Sequence, residues 1–430
     1  MTGDIHLGRI MGIPFRLHWS WFLALVLIAW TLVSGFFPES LPQFRGETGW
    51  FWVLGVVTAL GLFLSVLLHE LGHAFVARQL AIPVRGISLF IFGGVAELSG
   101  EPRKPWHEIL MAIGGPVVTV ILVALFTVGL NLMLLFGGVG WEVASDRLLF
   151  VGDNLASAGA AAVLAYLALA NTVLLLFNLV PAFPLDGGRV FRGFVWWLSG
   201  NYLTSTRVAG GVGIAFAWLL FLAGFVQAFR GNVVGGVWLF FLGVFLNNAA
   251  QASVAYAQLR QLLSGVRVAD LMRPRPIAIP AELPLRDVVE HYFLRHSYKA
   301  YPVVQDGRVL GVLTLRGLQE AGRDRWEQVR AGDLVAGQPP VPVLHPSEPA
   351  LGAMRRMAES GHNRLPVAVD GELIGMLSAS DILEYVEVRA GLTRAGELPL
   401  AQELPDDTDQ PAPRPRTPSG PVGVWVPHGR

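Results

Sequence analysis

The feature that most constrains the fold is a series of long apolar stretches in the first 260 residues. Six of them approach or exceed the roughly 20 residues that a helix needs to cross a hydrocarbon core. They are predicted at residues 17–37, 51–77, 108–136, 157–180, 208–229 and 232–250. Hydrophobic residues make up 53% of the chain and charged residues only 15%, which favours an integral membrane protein over a soluble one. We therefore predict a polytopic α-helical membrane domain over residues 1–255.

Composition excludes several other classes of protein. The formal net charge is zero, so we expect no nucleic-acid partner. The chain contains no cysteine, which excludes disulfides, thiolate nucleophiles and cysteine-based zinc sites. The first residues lack a basic region followed by a short apolar run and a small-residue cleavage site, so we expect no removable signal peptide.

Basic residues at the ends of the spans predict the orientation in the membrane. Nine lie on one predicted side and three on the other. The nine are Arg9, Arg16, Arg78, Arg85, Arg103, Lys104, Arg189, Arg192 and Arg207, and the three are Arg45, Arg147 and Arg230. Because lysine and arginine accumulate on the cytoplasmic side, we expect a multi-pass protein of the cell membrane with both termini in the cytoplasm.

The segment between the second and third spans differs from a helix in composition. It reads "AIPVRGISLFIFGGVAELSGEPRKP", is rich in β-branched and aromatic residues, and is interrupted by Gly93 and Gly94. This composition predicts strands, and hence a β segment associated with the membrane domain. The segment is either a simple hairpin or a sheet edge onto which an unwound peptide can add as a strand.

After residue 260 the sequence becomes less apolar and repeats itself. "YPVVQDGRVLGVLTLRGL" from Tyr301 aligns with "LPVAVDGELIGMLSASDI" from Leu365, 64 residues later. Each copy reads as strand, helix, strand, Asp-Gly turn, strand and helix, which predicts an α/β module with copies at 262–325 and 326–395. Residues 396–430 are polar and proline-rich, and we expect them to be disordered.

Residues 69–73, "HELGH", place two histidines and a glutamate near the predicted cytoplasmic end of the second span. On a helix His69 and His73 share a face, because they are four residues apart, so both imidazoles can bind one metal ion. Glu70 lies to the side of that face and can take a proton from a metal-bound water. This is the H-E-x-x-H arrangement of zinc peptidases. Ionisable groups within a membrane are costly and usually functional, which favours this interpretation over a chance match.

A catalytic zinc site needs a third protein ligand and an open position for water. The best candidate is Asp186 in "NLVPAFPLDGGRV", residues 178–190, since it follows the fourth span on the same predicted side as "HELGH". Pro181 and Pro184 break the helix before it, and Gly187 and Gly188 allow the backbone to turn. An ordinary polar turn after a membrane span would have a similar sequence, so both interpretations remain open at this point.

The two motifs together resemble the site-2 protease family of intramembrane zinc metalloproteases. The resemblance covers the six-span half, including "GISLFIFGGVAEL" and the "GGPVV" that opens span three. The paired repeats resemble tandem CBS domains, which one branch of that family carries at its cytoplasmic C-terminus. The resemblance implies a transmembrane zinc metalloprotease domain over residues 1–255, followed by CBS repeat 1 (262–325) and CBS repeat 2 (326–395).

The resemblance also implies roles for individual residues. His69, His73 and Asp186 are expected to bind one Zn²⁺ per chain, and Glu70 to act as the general base. Asn178, eight residues before the aspartate, is expected near the substrate carbonyl or the zinc-bound water. The implied substrate is a transmembrane or membrane-proximal segment of another protein, for instance a membrane-tethered anti-sigma factor.

One departure from the family pattern is visible in the third span. The small-residue-Gly-Pro motif is commonly followed three residues later by asparagine, whereas "GGPVVT" has Thr119 at that place. We expect a rearranged hydrogen bond near the site rather than a loss of activity.

Tandem CBS domains resemble sensors of adenine nucleotides. Their ribose-contacting pattern is a hydroxyl residue followed three positions later by aspartate, and the second copy has it as Ser378 and Asp381. The first copy keeps Thr314 but has Gly317 in place of the acid. One site for ATP, ADP or AMP is therefore expected. A CBS pair that only forms a homodimer or stiffens the enzyme is the alternative.

Two other functions are the alternatives to proteolysis. A CBS-regulated transporter or channel would need charged residues along a pathway and an internal membrane repeat, and neither is evident in the sequence. A catalytically inactive homologue that binds membrane proteins is disfavoured by the intact Glu70.

Overall fold

The computed structural model describes residues 4–10, 12–91, 93–98, 100, 102–144, 147–296 and 298–394. The chain divides into two compact units between Ala257 and Gln258. The tail predicted to be disordered, 396–430, lies outside the described residues.

Six helices in the described part of the first unit are long and apolar enough to cross a membrane. The first, Ser20–Ser40, consists of α1 (Ser20–Thr31) and α2 (Phe37–Ser40) joined by a π-helical turn at Leu32–Phe36. The others are α3 (Thr48–Gln79), α4 (Pro105–Phe136), α5 (Leu155–Asn178), α7 (Tyr202–Phe229) and α8 (Val233–Leu262). A shorter helix, α6 (Asp186–Ser199), lies between α5 and α7. The predicted polytopic helical fold is confirmed.

The core of the membrane domain lies where the first span, Ser20–Ser40, packs against α3 and α5. Its buried side chains include Phe37, Phe51, Ala161 and Leu167. Alanine at such contacts lets helix backbones approach, which matters in lipid because helix packing there relies on close contact.

A four-stranded sheet lies beside α3, with strand order β1-β2-β3-β4. Its strands are β1 (Asp4–Ile10), β2 (Ile13–His18), β3 (Val84–Phe90) and β4 (Gly93–Leu98). β2 pairs parallel with β3, and the other pairs are antiparallel. The strands β3 and β4 lie in the segment predicted to be β, while the β1–β2 hairpin was not predicted. Among the described strands, β4 is an edge of this sheet.

A second hairpin connects α4 to α5. It consists of β5 (Gly140–Ala144) and β6 (Arg147–Val151). A short 3-10 turn, Pro42–Phe44, lies near it, since the side chain of Gln43 donates to the Phe150 carbonyl at 2.7 Å. This hairpin was also not predicted.

The second unit is an α/β module built on a sheet with the order β11-β12-β10-β9-β8, with β7 paired to β12. The strands are β7 (Arg273–Pro274), β8 (Ile279–Pro280), β9 (Ala300–Gln305), β10 (Arg308–Thr314), β11 (Arg364–Val369) and β12 (Glu372–Ser378). The helices are α9 (Val268–Leu271), α10 (Leu285–Val288), α11 (Leu315–Ala321), α12 (Ala331–Ala336), α13 (Ala350–Ser360) and α14 (Ala379–Arg394). A π-helical turn, Val289–Phe293, continues α10, and a 3-10 turn, Arg323–Arg325, follows α11.

The two Asp-Gly turns have the backbone that their sequence predicts. Asp306 and Gly307 have φ of 51° and 79°, and Asp370 and Gly371 have φ of 51° and 87°. Two consecutive left-handed residues are the mark of the tight type I′ hairpin turn. These turns join β9 to β10 and β11 to β12.

Each copy of the repeat contributes its first helix to the core of the other copy. Val268 of α9 is buried with Leu365 of the second copy, and its N–H donates to the Glu348 carbonyl at 2.9 Å. Ala331 of α12 is buried with Leu285 of the first copy. The two copies are therefore interlocked into one module.

Candidate metal centre

The helix α3 carries both histidines of the "HELGH" motif on one face. The side chains of His69 and His73 are buried, and their ring centroids lie 4.8 Å apart. This proximity follows from their four-residue spacing on a continuous helix.

Hydrogen bonds determine which nitrogen of each histidine faces the centre. The Nδ1 of His73 lies 2.7 Å from the Met111 carbonyl oxygen, which can only accept, so Nδ1 carries the proton. The Nδ1 of His69 lies 2.8 Å from Oγ1 of Thr119, whose hydroxyl donates to the Gly115 carbonyl at 3.3 Å. The hydroxyl therefore accepts from His69. Both Nε2 atoms are left with a free lone pair.

Asp186, the first residue of α6, completes the group. Its Oδ2 lies 3.0 Å from Nε2 of His69 and 3.1 Å from Nε2 of His73, and the two Nε2 atoms are 3.1 Å apart. The carboxylate oxygen of Asp186 thus faces the same point as the two Nε2 atoms.

Two nitrogen lone pairs and a carboxylate oxygen thus converge on one point without a proton between them. A cation is the group that satisfies such a set. Ligand atoms bonded to one tetrahedral zinc ion lie about 3.3 Å apart, close to the 3.0 to 3.1 Å separations here. His₂Asp is also a donor set that suits zinc and leaves a fourth position for water. The residues present fit a catalytic zinc ion.

Glycines allow α4 to approach α3 closely enough to build the centre. A Cβ at Gly72 would lie 2.5 Å from the Gly114 carbonyl oxygen, and one at Gly114 would lie 2.7 Å from the Gly72 carbonyl oxygen. A Cβ at Gly115 would lie 2.6 Å from Nε2 of His69 and would also overlap the His73 ring. These positions therefore require glycine.

The chain between α5 and α6 folds tightly so that Asp186 reaches the histidines. A side chain at Gly187 would overlap the backbone of residues 179–180, and one at Gly188 would overlap that of residues 182–183. The peptide bond between Phe183 and Pro184 is cis. The stretch left open as an ordinary polar turn is thus a turn that carries Asp186 into the group and starts a helix.

The other two residues predicted to act in catalysis lie at defined places. Glu70 is half-buried on α3, next to β4, since a Cβ at Gly94 would lie 2.6 Å from its Cγ. Asn178 is half-buried at the last residue of α5. Among the described residues it makes no side-chain hydrogen bond with the histidines or with Asp186. Their roles in catalysis stay predictions.

Sequence reasoning missed the two groups that orient the histidines. Thr119 was noted only as a departure from a pattern, and the Met111 carbonyl gave no signal because a main-chain contact leaves no mark in the sequence. Such outer partners of metal-binding histidines usually raise metal affinity.

The residues predicted to bind a nucleotide lie together in the second unit. The backbone N–H of Ser378 donates to Oδ2 of Asp381 at 2.9 Å, and its hydroxyl also bonds that carboxylate. Arg273 donates from Nε to Oδ1 of Asp381 at 2.6 Å. Burial raises the pKa of Asp381, but the bonds from Ser378 and Arg273 outweigh it and lower that pKa.

An open cleft adjoins Asp381 and is also lined by Arg273, Arg275, Tyr298 and Arg364. In the first copy the corresponding hydroxyl, Thr314, instead caps α11 by accepting from the Gly317 N–H at 3.1 Å.

Comparison with known proteins identifies the family. The model of peptidase family M50 matches residues 57–222, and the CBS domain model matches residues 268–324 and 331–388. "Putative zinc metalloprotease Rip3" of Mycobacterium tuberculosis is 32% identical over 412 residues, which cover 95% of this chain and 99% of that protein. Zinc metalloprotease MJ0392 of Methanocaldococcus jannaschii is 27% identical over 94% of this chain and 100% of that protein.

Among solved structures, the site-2 protease from Methanocaldococcus jannaschii matches 58% of this chain and 95% of its own, with 28% identity and a TM-score of 0.39. The sequence matches set aside the alternative of a transporter or channel. The chain belongs to peptidase family M50, and it is a multi-pass, site-2-type zinc metalloprotease with a pair of CBS domains.

Proposed function

We propose that this protein cleaves peptide bonds within or next to transmembrane segments of membrane-tethered substrate proteins. The observation that carries the proposal is the convergence of His69, His73 and Asp186, with Glu70 on the same helix, α3. Because α3 is apolar and long enough to cross a membrane, the site belongs to a membrane-embedded enzyme.

In the proposed mechanism, His69, His73 and Asp186 hold the zinc ion. When bound, zinc supplies a Lewis acid and lowers the pKa of a bound water to about 7. Glu70 accepts the proton of the attacking water as the new C–O bond forms, and then delivers it to the amine nitrogen as the C–N bond breaks. Thr119 and the Met111 carbonyl hold the imidazole rings in place throughout.

Asn178 is proposed to assist by donating a hydrogen bond from its amide to the developing oxyanion. Its support is its position at the end of α5, in the chain that leads to Asp186. The side chain is half-buried, so a substrate can reach it.

The substrate is proposed to bind as an extended strand along the edge of β4. An intact helix hides its carbonyl groups in its own hydrogen bonds, so cleavage requires an unwound segment. β4 is an edge strand among those described, and its Gly94 lies against Glu70. A strand added there would therefore pass close to the general base.

We propose that the protein resides in the cell membrane with both termini and the CBS pair in the cytoplasm. The support is the excess of arginine and lysine at the ends of the spans on that side. A membrane-tethered anti-sigma factor is a fitting substrate of such an enzyme, since its cleavage would release a regulator on the cytoplasmic side. Homodimerisation through the CBS pair is part of the same proposal.

The cleft beside Asp381 is proposed to bind ATP, ADP or AMP and so regulate cleavage. Asp381 can accept from ribose hydroxyls, and Arg275 and Arg364 offer positive charge to the phosphates. Isothermal titration of the full chain with each nucleotide tests this. Binding that Asp381→Ala abolishes would support the sensor, and no binding up to millimolar concentration would leave the CBS pair a structural element.

Proteolysis is tested with purified protein reconstituted with a single-span model substrate. We expect cleavage by the wild type, none by Glu70→Gln, and loss on chelation that added zinc restores. A zinc-loaded wild type that leaves several single-span substrates intact would favour an inactive, substrate-binding homologue.

A further inference from the structure

The helix α6 exposes an apolar face although it follows the buried metal-centre residue Asp186. Phe194 is 48% exposed, Trp197 54% and Leu198 64%. Trp106, at the start of α4, is 57% exposed and its ring lies 6.3 Å from that of Trp197, which in turn lies 6.0 Å from the Phe194 ring. We call Trp106, Phe194 and Trp197 the aromatic anchor.

The opposite face of α6 is fixed to the protein. Arg192 is buried and donates from Nε to Oε1 of Glu108 on α4 at 2.7 Å. Its guanidinium carbon also lies 4.6 Å from the centre of the Phe183 ring and 5.0 Å from that of Tyr202. The exposed face therefore does not result from a loosely held helix.

The helix α6 runs along the first turns of α4 in the opposite direction. Asp186 at its start lies beside His73, whose ring contacts the Met111 carbonyl of α4. Gly193 packs against Ile109, and Trp197 contacts Trp106 at the start of α4. The centre thus lies some turns down α4 from the aromatic anchor.

The anchor continues a lipid-facing stripe of α4. Trp106, Leu110, Ile113 and Val117 recur at helical spacing and are each at least 40% exposed. Since α4 is long and apolar enough to span a membrane, we expect acyl chains to cover this stripe. Tryptophan at the end of such a stripe, next to the exposed Lys104, is typical of the membrane–water interface.

We propose that the aromatic anchor is a lipid-binding surface that inserts into the headgroup region of the bilayer. The metal centre is then held at a set depth, because Gly115, which contacts both histidines, lies nine residues from Trp106 along α4. At about 1.5 Å per residue the separation is about 14 Å. The proposal of a lipid-binding anchor requires that the protein is inserted in a membrane, and it does not depend on the proposed proteolysis.

Spin-label depth measurements test the proposal, because a chain without cysteine permits single-cysteine variants of the full protein. Phe194→Cys and Trp197→Cys would be labelled with a nitroxide in nanodiscs of zwitterionic and anionic phospholipid. Collision with oxygen, which enters lipid, and with a water-soluble nickel chelate would be compared. Ile121→Cys on α4 serves as the hydrocarbon reference and Arg323→Cys as the aqueous reference, since both side chains are exposed.

We expect labels at 194 and 197 to give an oxygen-to-nickel collision ratio between those of the two references. A ratio equal to the aqueous reference would overturn the proposal, as would one equal to the hydrocarbon reference. Shielding from both reagents would overturn it too, since a protein partner would then cover the face. If either variant fails to remain monodisperse, Leu198→Cys reports on the same face.

Discussion

The replacement of Thr119 by valine probes how the protein holds the histidines that we propose as metal ligands. Valine keeps the shape of threonine and removes the hydroxyl that accepts from Nδ1 of His69 at 2.8 Å. Thr119 is fully buried, so water cannot replace that acceptor. Leaving a buried donor unsatisfied costs about 1–3 kcal/mol. Removing an outer partner of a metal-bound histidine typically weakens metal affinity about 10–100-fold, which is about 1.4–2.7 kcal/mol.

We therefore predict that Thr119→Val weakens zinc binding about 10–100-fold. The assay is competition for zinc between the purified protein in detergent and a chromogenic chelator. Thr119→Ser keeps the hydroxyl and should bind zinc like the wild type. Thr58→Val is a matched control, because Thr58 is also buried but donates only to the Leu54 carbonyl of its own helix.

Wild-type zinc affinity in Thr119→Val would refute the idea that this hydroxyl orients His69. Equal weakening in Thr58→Val would refute it as well, because the effect would then be a general loss of packing.

Three further substitutions test other parts of the structure. Val95→Pro should reduce cleavage without loss of zinc if substrates add to the β4 edge, whereas Val95→Thr should cleave normally; equal rates would count against edge binding. Gly115→Ala should abolish zinc binding, measured by elemental analysis, because its Cβ would overlap both imidazoles. Gly129→Ala is the control and should leave zinc binding unchanged, since its Cβ would lie 3.5 Å from the nearest side chain. Glu108→Ala should lower the free energy of unfolding by about 3–5 kcal/mol, because it leaves the buried Arg192 without its carboxylate partner Glu108. Thermal unfolding measures this effect. A melting temperature within error of the wild type would contradict a stabilising role for that pair.

The membrane helices were predictable because a bilayer demands a minimum length of apolar residues. The ends of these helices were harder to predict. The last span was predicted at 232–250, whereas α8 runs from Val233 to Leu262. Hydropathy detects the part of a helix that lies in lipid, and polar residues such as Asn247, Asn248 and Gln251 hide its continuation beyond.

The pairing of β2 with β3 could not be predicted for a different reason. Phe15 of β2 lies opposite Ile87 of β3. A pairing between residues so far apart in sequence leaves no local pattern. The packing of α9 and α12 into the core of the other repeat could not be predicted either. A sequence repeat shows that two units have similar folds, but it does not show which of their parts pack together.

At the candidate site, the sequence specified the side chains but not the register between helices. His69 and His73 follow from helical spacing, and the turn that carries Asp186 was one of two open interpretations. That Thr119 would face His69 depends on how closely α3 and α4 cross, which Gly72 and Gly114 decide through backbone contact. Contacts of that kind become visible only in three dimensions.

The most direct test of the central claim is the zinc content of detergent-purified wild type, Glu70→Gln and Asp186→Ala, measured beside cleavage of a single-span substrate. The account predicts about one zinc per chain in the wild type and in Glu70→Gln, markedly less in Asp186→Ala, and cleavage by the wild type alone. Full zinc occupancy in Asp186→Ala, or cleavage by Glu70→Gln at the wild-type rate, would contradict it.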